Sequence, residues 1–388
     1  MLDPIVRDYL FHDLRLKCTR DKLILGGIAV VVVILAFLGW VDVLEGRNPF
    51  VIWVWVPYSI AGSLIGYFIL AFLDRERRVR AFHLLTIVSV MVVAGPAAAF
   101  FNGLFEAPIK FVTVGFFEEG MKIVPVLLLA IYVPNLIRTR KDGIVYGALA
   151  GMGFNIIEIG FYIAKQLHEN SLLESLYLHS TRFGLWGLGS HIIWSAFVGL
   201  GIGFAAESTK HGWAKWSRAV YFYLIAAVSH SLYDLGLNGL GIIVVSQIES
   251  MIRGIDLSDV ATEVYGPGPI NDGMRYGVYV WTIVLIIAMI VQIRRSFRLE
   301  NTIQIDELST EDPDVITEPE LQQLKAERLF FKRKYNEFPK QVGAKMVLYQ
   351  NMLAILKHRI LQQHLSGASI EPISALRGAI QALRSQAG

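Results

Sequence analysis

Glu118, Glu119, Lys122, Glu158, His191, His230 and Asp234 stand inside stretches that otherwise read as membrane-spanning. Insertion scales charge roughly 2.5–3.5 kcal/mol for an acid or lysine near the bilayer centre, so such groups are tolerated where they face one another or a polar cavity. Carboxylates and imidazoles gathered in one place can run general acid–base chemistry on a water. An ionised glutamate takes the proton, and histidines stabilise the developing oxyanion. The pattern points to hydrolysis inside a membrane cavity.

Helical spacing groups these residues. Glu118 and Lys122 are four apart and Glu119 and Lys122 three apart, so the lysine can reach either acid. His230 and Asp234 are again four apart, and the carboxylate can fix the imidazole tautomer. Asn155 lies three residues before Glu158 and can add a hydrogen bond, including one to an oxyanion. Trp194 is expected to pack. Gly115, Gly120, Gly151, Gly153, Gly187 and Gly189 surround these positions and permit close helix approach.

The elements that must hold this set are transmembrane helices. The chain has 388 residues, 54% hydrophobic and 18% charged, with mean hydropathy +0.48. That composition fits a polytopic membrane protein rather than a soluble domain. The single cysteine, Cys18, excludes an internal disulfide and a cysteine-based zinc site. No cleavable signal peptide is evident before the first apolar run. Windows long enough to span fall near 23–41, 51–73, 84–105, 111–132, 143–164, 187–206, 219–241 and 275–293. The expected fold is therefore all-α, a polytopic transmembrane bundle of about eight spans.

Lysines and arginines alternate between loops. Arg75, Arg77, Arg78 and Arg80 follow the second window, Arg138, Arg140 and Lys141 the fourth, Lys210, Lys215 and Arg218 the sixth, and Arg294, Arg295 and Arg298 the eighth. The positive-inside rule places both termini in the cytoplasm of a multi-pass cell-membrane protein. At about 1.5 Å per residue, Glu118 lies roughly 10 Å below the outer boundary, Glu158 about 9 Å, His191 roughly 6 Å, and His230 and Asp234 roughly 16 and 10 Å. Four helices of alternating direction thus deliver their polar groups to one layer in the outer half. Unrelated polar residues would scatter.

The predicted organisation is a cytoplasmic N-terminal segment over 1–22, the bundle over 23–293, an acidic linker over 294–319 and a cytoplasmic helical extension over 320–388. Helical apolar spacing in the extension covers 320–336, 340–365 and 370–386. It could bind a cytoplasmic partner or lie on the membrane. Residues 1–22 are expected to form an interfacial helix. The outer loops 165–186 and 246–274 flank the polar helices and are candidates for gating access.

The motifs Glu118-Glu119-Gly-Met-Lys122, Phe154-Asn-Ile-Ile-Glu158, Ser190-His191-Ile-Ile-Trp194-Ser195 and His230-Ser-Leu-Tyr-Asp234, in that order, resemble the PrsW family of intramembrane proteases. They are distantly similar to the CAAX-prenyl protease and bacteriocin-processing superfamily, although Glu158 stands where that superfamily has a histidine. The resemblance covers about residues 85–245. It implies peptide-bond hydrolysis near the extracytoplasmic face, with a single-span membrane protein such as an anti-sigma factor as substrate. The residues that match the family's motifs are Glu118, Glu119, Lys122, Phe154, Glu158, His191, His230 and Asp234; Glu118, Glu119, Glu158, His191, His230 and Asp234 are expected to be catalytic, with Lys122, Asn155 and Phe154 supporting. No cofactor is favoured over a glutamate-activated water. Zinc is the alternative, with Glu158, His191, His230 and Asp234 as candidate ligands. The lipid bilayer is the expected surrounding partner, and no nucleic acid is expected. A proton- or ion-coupled transporter would use the same Glu/His cluster, but no inverted repeat is evident. A third reading is an idle scaffold that binds membrane segments.

Overall fold

The computed structural model describes residues 4–11, 19–44, 49–74, 80–105, 109–169, 189–210, 212–237, 254, 269–329, 333–362 and 371–386. Among them the chain is helical, with no strand element. A short helix α1 (Pro4–Phe11) precedes α2 (Thr19–Leu44), α3 (Pro49–Leu73) and α4 (Arg80–Ser89). A π-turn (Val90–Ala94) joins α4 to α5 (Gly95–Gly103). Then come α6 (Ile109–Tyr132), α7 (Arg140–Glu169), α8 (Ser190–Glu207), α9 (Trp213–Leu237) and α10 (Pro269–Leu308). Three helices close the chain: α11 (Glu318–Lys325), α12 (Lys340–Gln362) and α13 (Glu371–Ser385).

Each of the eight predicted windows falls on a helix, α4 and α5 sharing the third. By length and composition, three described stretches can cross a membrane: Arg80–Gly103, Arg140–Gly160 and Val280–Leu308. The helices α6 and α9 carry charges that lower their apolarity, Lys110, Glu118, Glu119 and Lys122 in one and Lys215, Arg218 and Asp234 in the other. The outer surfaces of α2, α3 and α10 expose valine, leucine, isoleucine and phenylalanine in rows, as a lipid-facing helix does. By contrast, α7 over 140–160 and α8 over 191–207 are buried almost throughout. They form the centre of the bundle, packing most extensively on each other, with α3 against α7 and α9 against α8 and α6.

Glycine explains how α7 and α8 come so close. A Cβ on Gly143, Gly147 or Gly151 would lie 2.1–2.3 Å from the carbonyl oxygens of Gly199, Ser195 and His191 respectively. These positions repeat every four residues on both helices, so the backbones touch along two turns. Small residues allow this approach between membrane helices, where close packing replaces the hydrophobic drive. Gly115 does the same for α6 against α9, with a Cβ meeting Ala227 O at 2.2 Å.

The π-turn has a local cause. Pro96 has no N–H to offer the carbonyl four residues back, at Val92. The indole of Trp40 donates to that oxygen instead, at 2.9 Å. Gly39, beside it, lets α2 lie against Pro96.

The last membrane helix does not stop where its apolar pattern does. It runs 40 residues, through the first part of the expected linker, to Leu308. Beyond it, Thr317 and Glu320 form a capping box at the start of α11. Arg377 grips Glu311 with two bonds of 2.7 and 2.8 Å, and Lys357 bonds the same carboxylate. Gln350 ties α12 to Val315 O at 2.8 Å. The first of the three expected helices is shorter than its spacing suggested, and the other two agree closely with 340–365 and 370–386.

This extension rests on the bundle. Arg359 donates to Asn135 at 2.8 Å, and Lys141 pairs with Glu300 at 2.9 Å with both side chains buried. The N-terminal helix also packs on protein. Val6, Tyr9 and Leu10 are buried, Asn135 donates to Tyr9 O at 2.9 Å, and Arg138 bonds the Tyr9 hydroxyl. The proposed gating loops lie outside the described residues, apart from the helical ends at 165–169 and 269–274 and the single turn residue Gly254.

Candidate active site

Glu118, Glu119, Lys122, Asn155, Glu158, His191, His230 and Asp234 are all buried, drawn from α6, α7, α8 and α9. The ammonium of Lys122 is at their centre and is fully buried. It donates to Glu119 Oε1 at 2.8 Å, to Glu118 Oε2 at 3.3 Å and to His191 Nδ1 at 2.8 Å. An ammonium has three protons, and here each has an acceptor. On the other side of the ring, His191 Nε2 lies 2.7 Å from Glu158 Oε2. The ring of Phe154 closes over Lys122, 3.8 Å from the nitrogen, and lies 5.1 Å from His191. A lysine without such partners would be prohibitively costly here.

The two adjacent glutamates have different surroundings. Both oxygens of Glu119 are taken: Oε1 by Lys122 and by His230 Nδ1 at 3.1 Å, and Oε2 by the Ser195 hydroxyl at 2.8 Å. Glu118 is held through Oε1 by Asn102 at 2.8 Å. Its Oε2 has only long contacts, 3.3 Å to Lys122 and 3.5 Å to His230 Nε2. Glu118 Oε2 is thus the most loosely held of the four carboxylate oxygens.

His230 is clamped on every side. Trp194 stacks on it at 4.2 Å, His191 meets it edge-on at 4.8 Å, and Asp234 lies 3.4 Å from Nε2. Trp194 does pack, as expected, but its packing fixes a site histidine. Neither the nitrogen nor the oxygen of the Asn155 amide has a hydrogen-bond partner, although the side chain is fully buried. Such an orphan is costly unless another group completes it.

Sequence reasoning did not single out Asn102 or give Ser195 a role. Asn102 is a lone polar residue in an apolar span, which is a faint signal. Ser195 is one turn from His191, within a quoted motif, but its bond reaches 76 residues back to α6.

One oxygen of Glu118 and one nitrogen each of His191 and His230 lie within 4.8 Å of one another. This nitrogen and oxygen set suits a zinc-type ion. Glu158 and Asp234, also expected as ligands, border the same two imidazoles, at 2.7 Å from His191 Nε2 and 3.4 Å from His230 Nε2. Charge also favours a cation. Four carboxylates, Glu118, Glu119, Glu158 and Asp234, gather here with one ammonium and two imidazoles, an acid-rich set that a bound cation would help to balance.

Fold and site together define a helical membrane protein built around a buried carboxylate–imidazole–lysine centre. Residues 78–252 match the family described as PrsW family intramembrane metalloprotease. Protease PrsW of Halalkalibacterium halodurans is 30% identical over 135 residues, which are 34% of this chain and 57% of that protein. The chain therefore spans a little over half the length of this curated relative. No solved structure matches the chain.

Proposed function

We propose that the protein is an intramembrane endopeptidase that cuts a single-span membrane protein near the extracytoplasmic face. One observation carries the reading. Carboxylates, imidazoles and a lysine from four helices form one buried cluster, in which Glu118 Oε2 makes only long contacts.

In the proposed reaction, Glu118 takes a proton from the attacking water and passes it to the leaving amine. His230 faces the developing oxyanion, steadied by Trp194 and Asp234. The orphaned amide of Asn155 is suited to hold a carbonyl of the substrate backbone. Lys122 and Ser195 keep Glu119 fixed, and Glu119 fixes His230 in turn. Glu118, His191 and His230 would hold a zinc-type ion, which when bound supplies Lewis-acid polarisation and a more acidic water. Glu118 is the base in the metal-free arrangement and a ligand in the other, and both require it. Membrane-anchored anti-sigma factors are the substrate class to try first, on the resemblance alone. Eight spans with both termini in the cytoplasm would place the site in the outer half of the membrane.

The test is cleavage of single-span reporters co-expressed with wild type or Glu118→Gln, with products read by mass. A product seen only with wild type, cut near the outer end of the span, supports the proposal. Proton flux in liposomes with no cleavage of any reporter would replace it with transport. Chelation separates the two arrangements. Loss of activity, with stoichiometric zinc by native mass spectrometry that disappears in His191→Ala, supports the metal form.

A further inference from the structure

A cavity of about 320 Å³, rimmed by basic side chains, opens at the lysine- and arginine-rich end of the bundle, the end expected on the cytoplasmic side. Its walls come from the start of α7, the end of α8 through the start of α9, α10 at Leu299 and Ile303, and α12 of the C-terminal extension. Arg138, Arg140, Lys210, Lys215, Arg218 and Arg359 line it, against a single lining carboxylate, Glu207. That carboxylate is already taken by Arg140, at 2.6 Å. Lys210, Lys215 and Arg218 make no ion pair among the described residues. Arg138 is 3% exposed, and its Nε has no hydrogen-bond partner. Burial, with the nearby Arg359 guanidinium adding to it, pushes Lys215 below the ordinary lysine range. Hydroxyls of Thr139, Ser208, Thr209 and Ser217 complete the lining. The guanidinium carbons of Arg140 and Arg218 lie 4.0 and 4.7 Å from the ring of Phe204, which fixes both in place.

Like charges are gathered here in a concave, partly desolvated space with hydroxyl donors between them. That is the chemistry of phosphate recognition. We propose that this cavity binds a phosphate-bearing anion, clamped between the bundle and α12. The group is the end of an acidic lipid headgroup or of a soluble phosphate compound. It would supply the negative charge that the cavity lacks and join the C-terminal extension to the membrane domain. The proposal does not depend on the reaction assigned to the buried site.

The test uses the full chain in nanodiscs and follows amide exchange over 139–143, 208–218 and 355–359. Three conditions are compared: phosphatidylcholine discs in chloride, the same discs with inorganic phosphate at matched ionic strength, and discs with phosphatidic acid and no added phosphate. Protection by inorganic phosphate assigns a soluble phosphate compound. Protection only with phosphatidic acid assigns the headgroup. In either case Lys215→Gln and Arg359→Gln should each weaken half-saturation about tenfold, the scale of one charge-assisted hydrogen bond. Arg295→Gln, an exposed cation outside the cavity, should leave it within about twofold. No protection under any condition, or an equal loss in Arg295→Gln, overturns the proposal.

Discussion

Glu118 and Glu119 are neighbours of one residue type, yet their surroundings give them different work. Glu118→Gln should lower turnover at least 100-fold, the scale of a general base, and leave the thermal midpoint close to wild type. Glu119→Gln removes an acceptor from Lys122, His230 and Ser195 together. It should cost about 3 kcal/mol of stability, as breaking one side of a buried ion pair does, and reduce activity through the displaced His230. Parallel thermal unfolding and reporter cleavage check both; equal stability losses would contradict the distinction. The spacing of Glu118, Glu119 and Lys122, and of His230 and Asp234, was legible because a helix repeats every 3.6 residues. The inequality of the two glutamates was not. It depends on Asn102 and Ser195, which arrive from other helices, and local spacing is silent on those.

At the scale of elements, all eight apolar windows coincide with helices, since hydropathy is a property of the segment alone. The contact between α7 and α8 was only half readable. Gly151 was noted as permitting close approach, but its partner at His191 O was not, nor the matching pairs at 143 and 147. Which glycine faces which backbone is a tertiary fact. Gly151→Ala should force α8 outward beside His191, costing about 1–3 kcal/mol as overpacking does. Turnover should fall although no polar group has been removed. Unfolding midpoints measured alongside reporter cleavage test this, and a wild-type rate would show that the site tolerates a wider helix pair.

For the whole molecule, the extension was expected as three cytoplasmic helices, and three helices are present. Their seat on the bundle through Arg359 and Asn135 was not foreseen, because charged residues on amphipathic helices do not announce their partners. Glu311 is central to that unit. Burial raises its carboxyl, but the bonds from Arg377 and Lys357 outweigh this and hold it below the usual carboxylate range. A carboxyl lowered on folding contributes stability that is complete above about pH 4.5, the ordinary value. That contribution is lost as pH falls through the lowered value. Protease resistance of residues 318–386 should therefore decline on acidification below that pH, and Glu311→Gln should be weaker at neutral pH with a flatter acid limb. An unchanged acid limb in the variant would remove Glu311 from this role.

The 40 residues of α10 make one rod, about 60 Å long at 1.5 Å per residue. A helix of this kind is stiff in torsion, so it behaves as a shaft between the membrane and the extension. Inserting one residue between Gln292 and Ser296 would turn everything beyond it by about 100°. Glu300 would swing away from Lys141, and α12 from the rim of the basic cavity. Seven inserted residues would restore the angle to within about 20° while displacing the extension by about 10 Å along the axis. The angular phase of α10, as much as its length, aligns the two halves of the molecule.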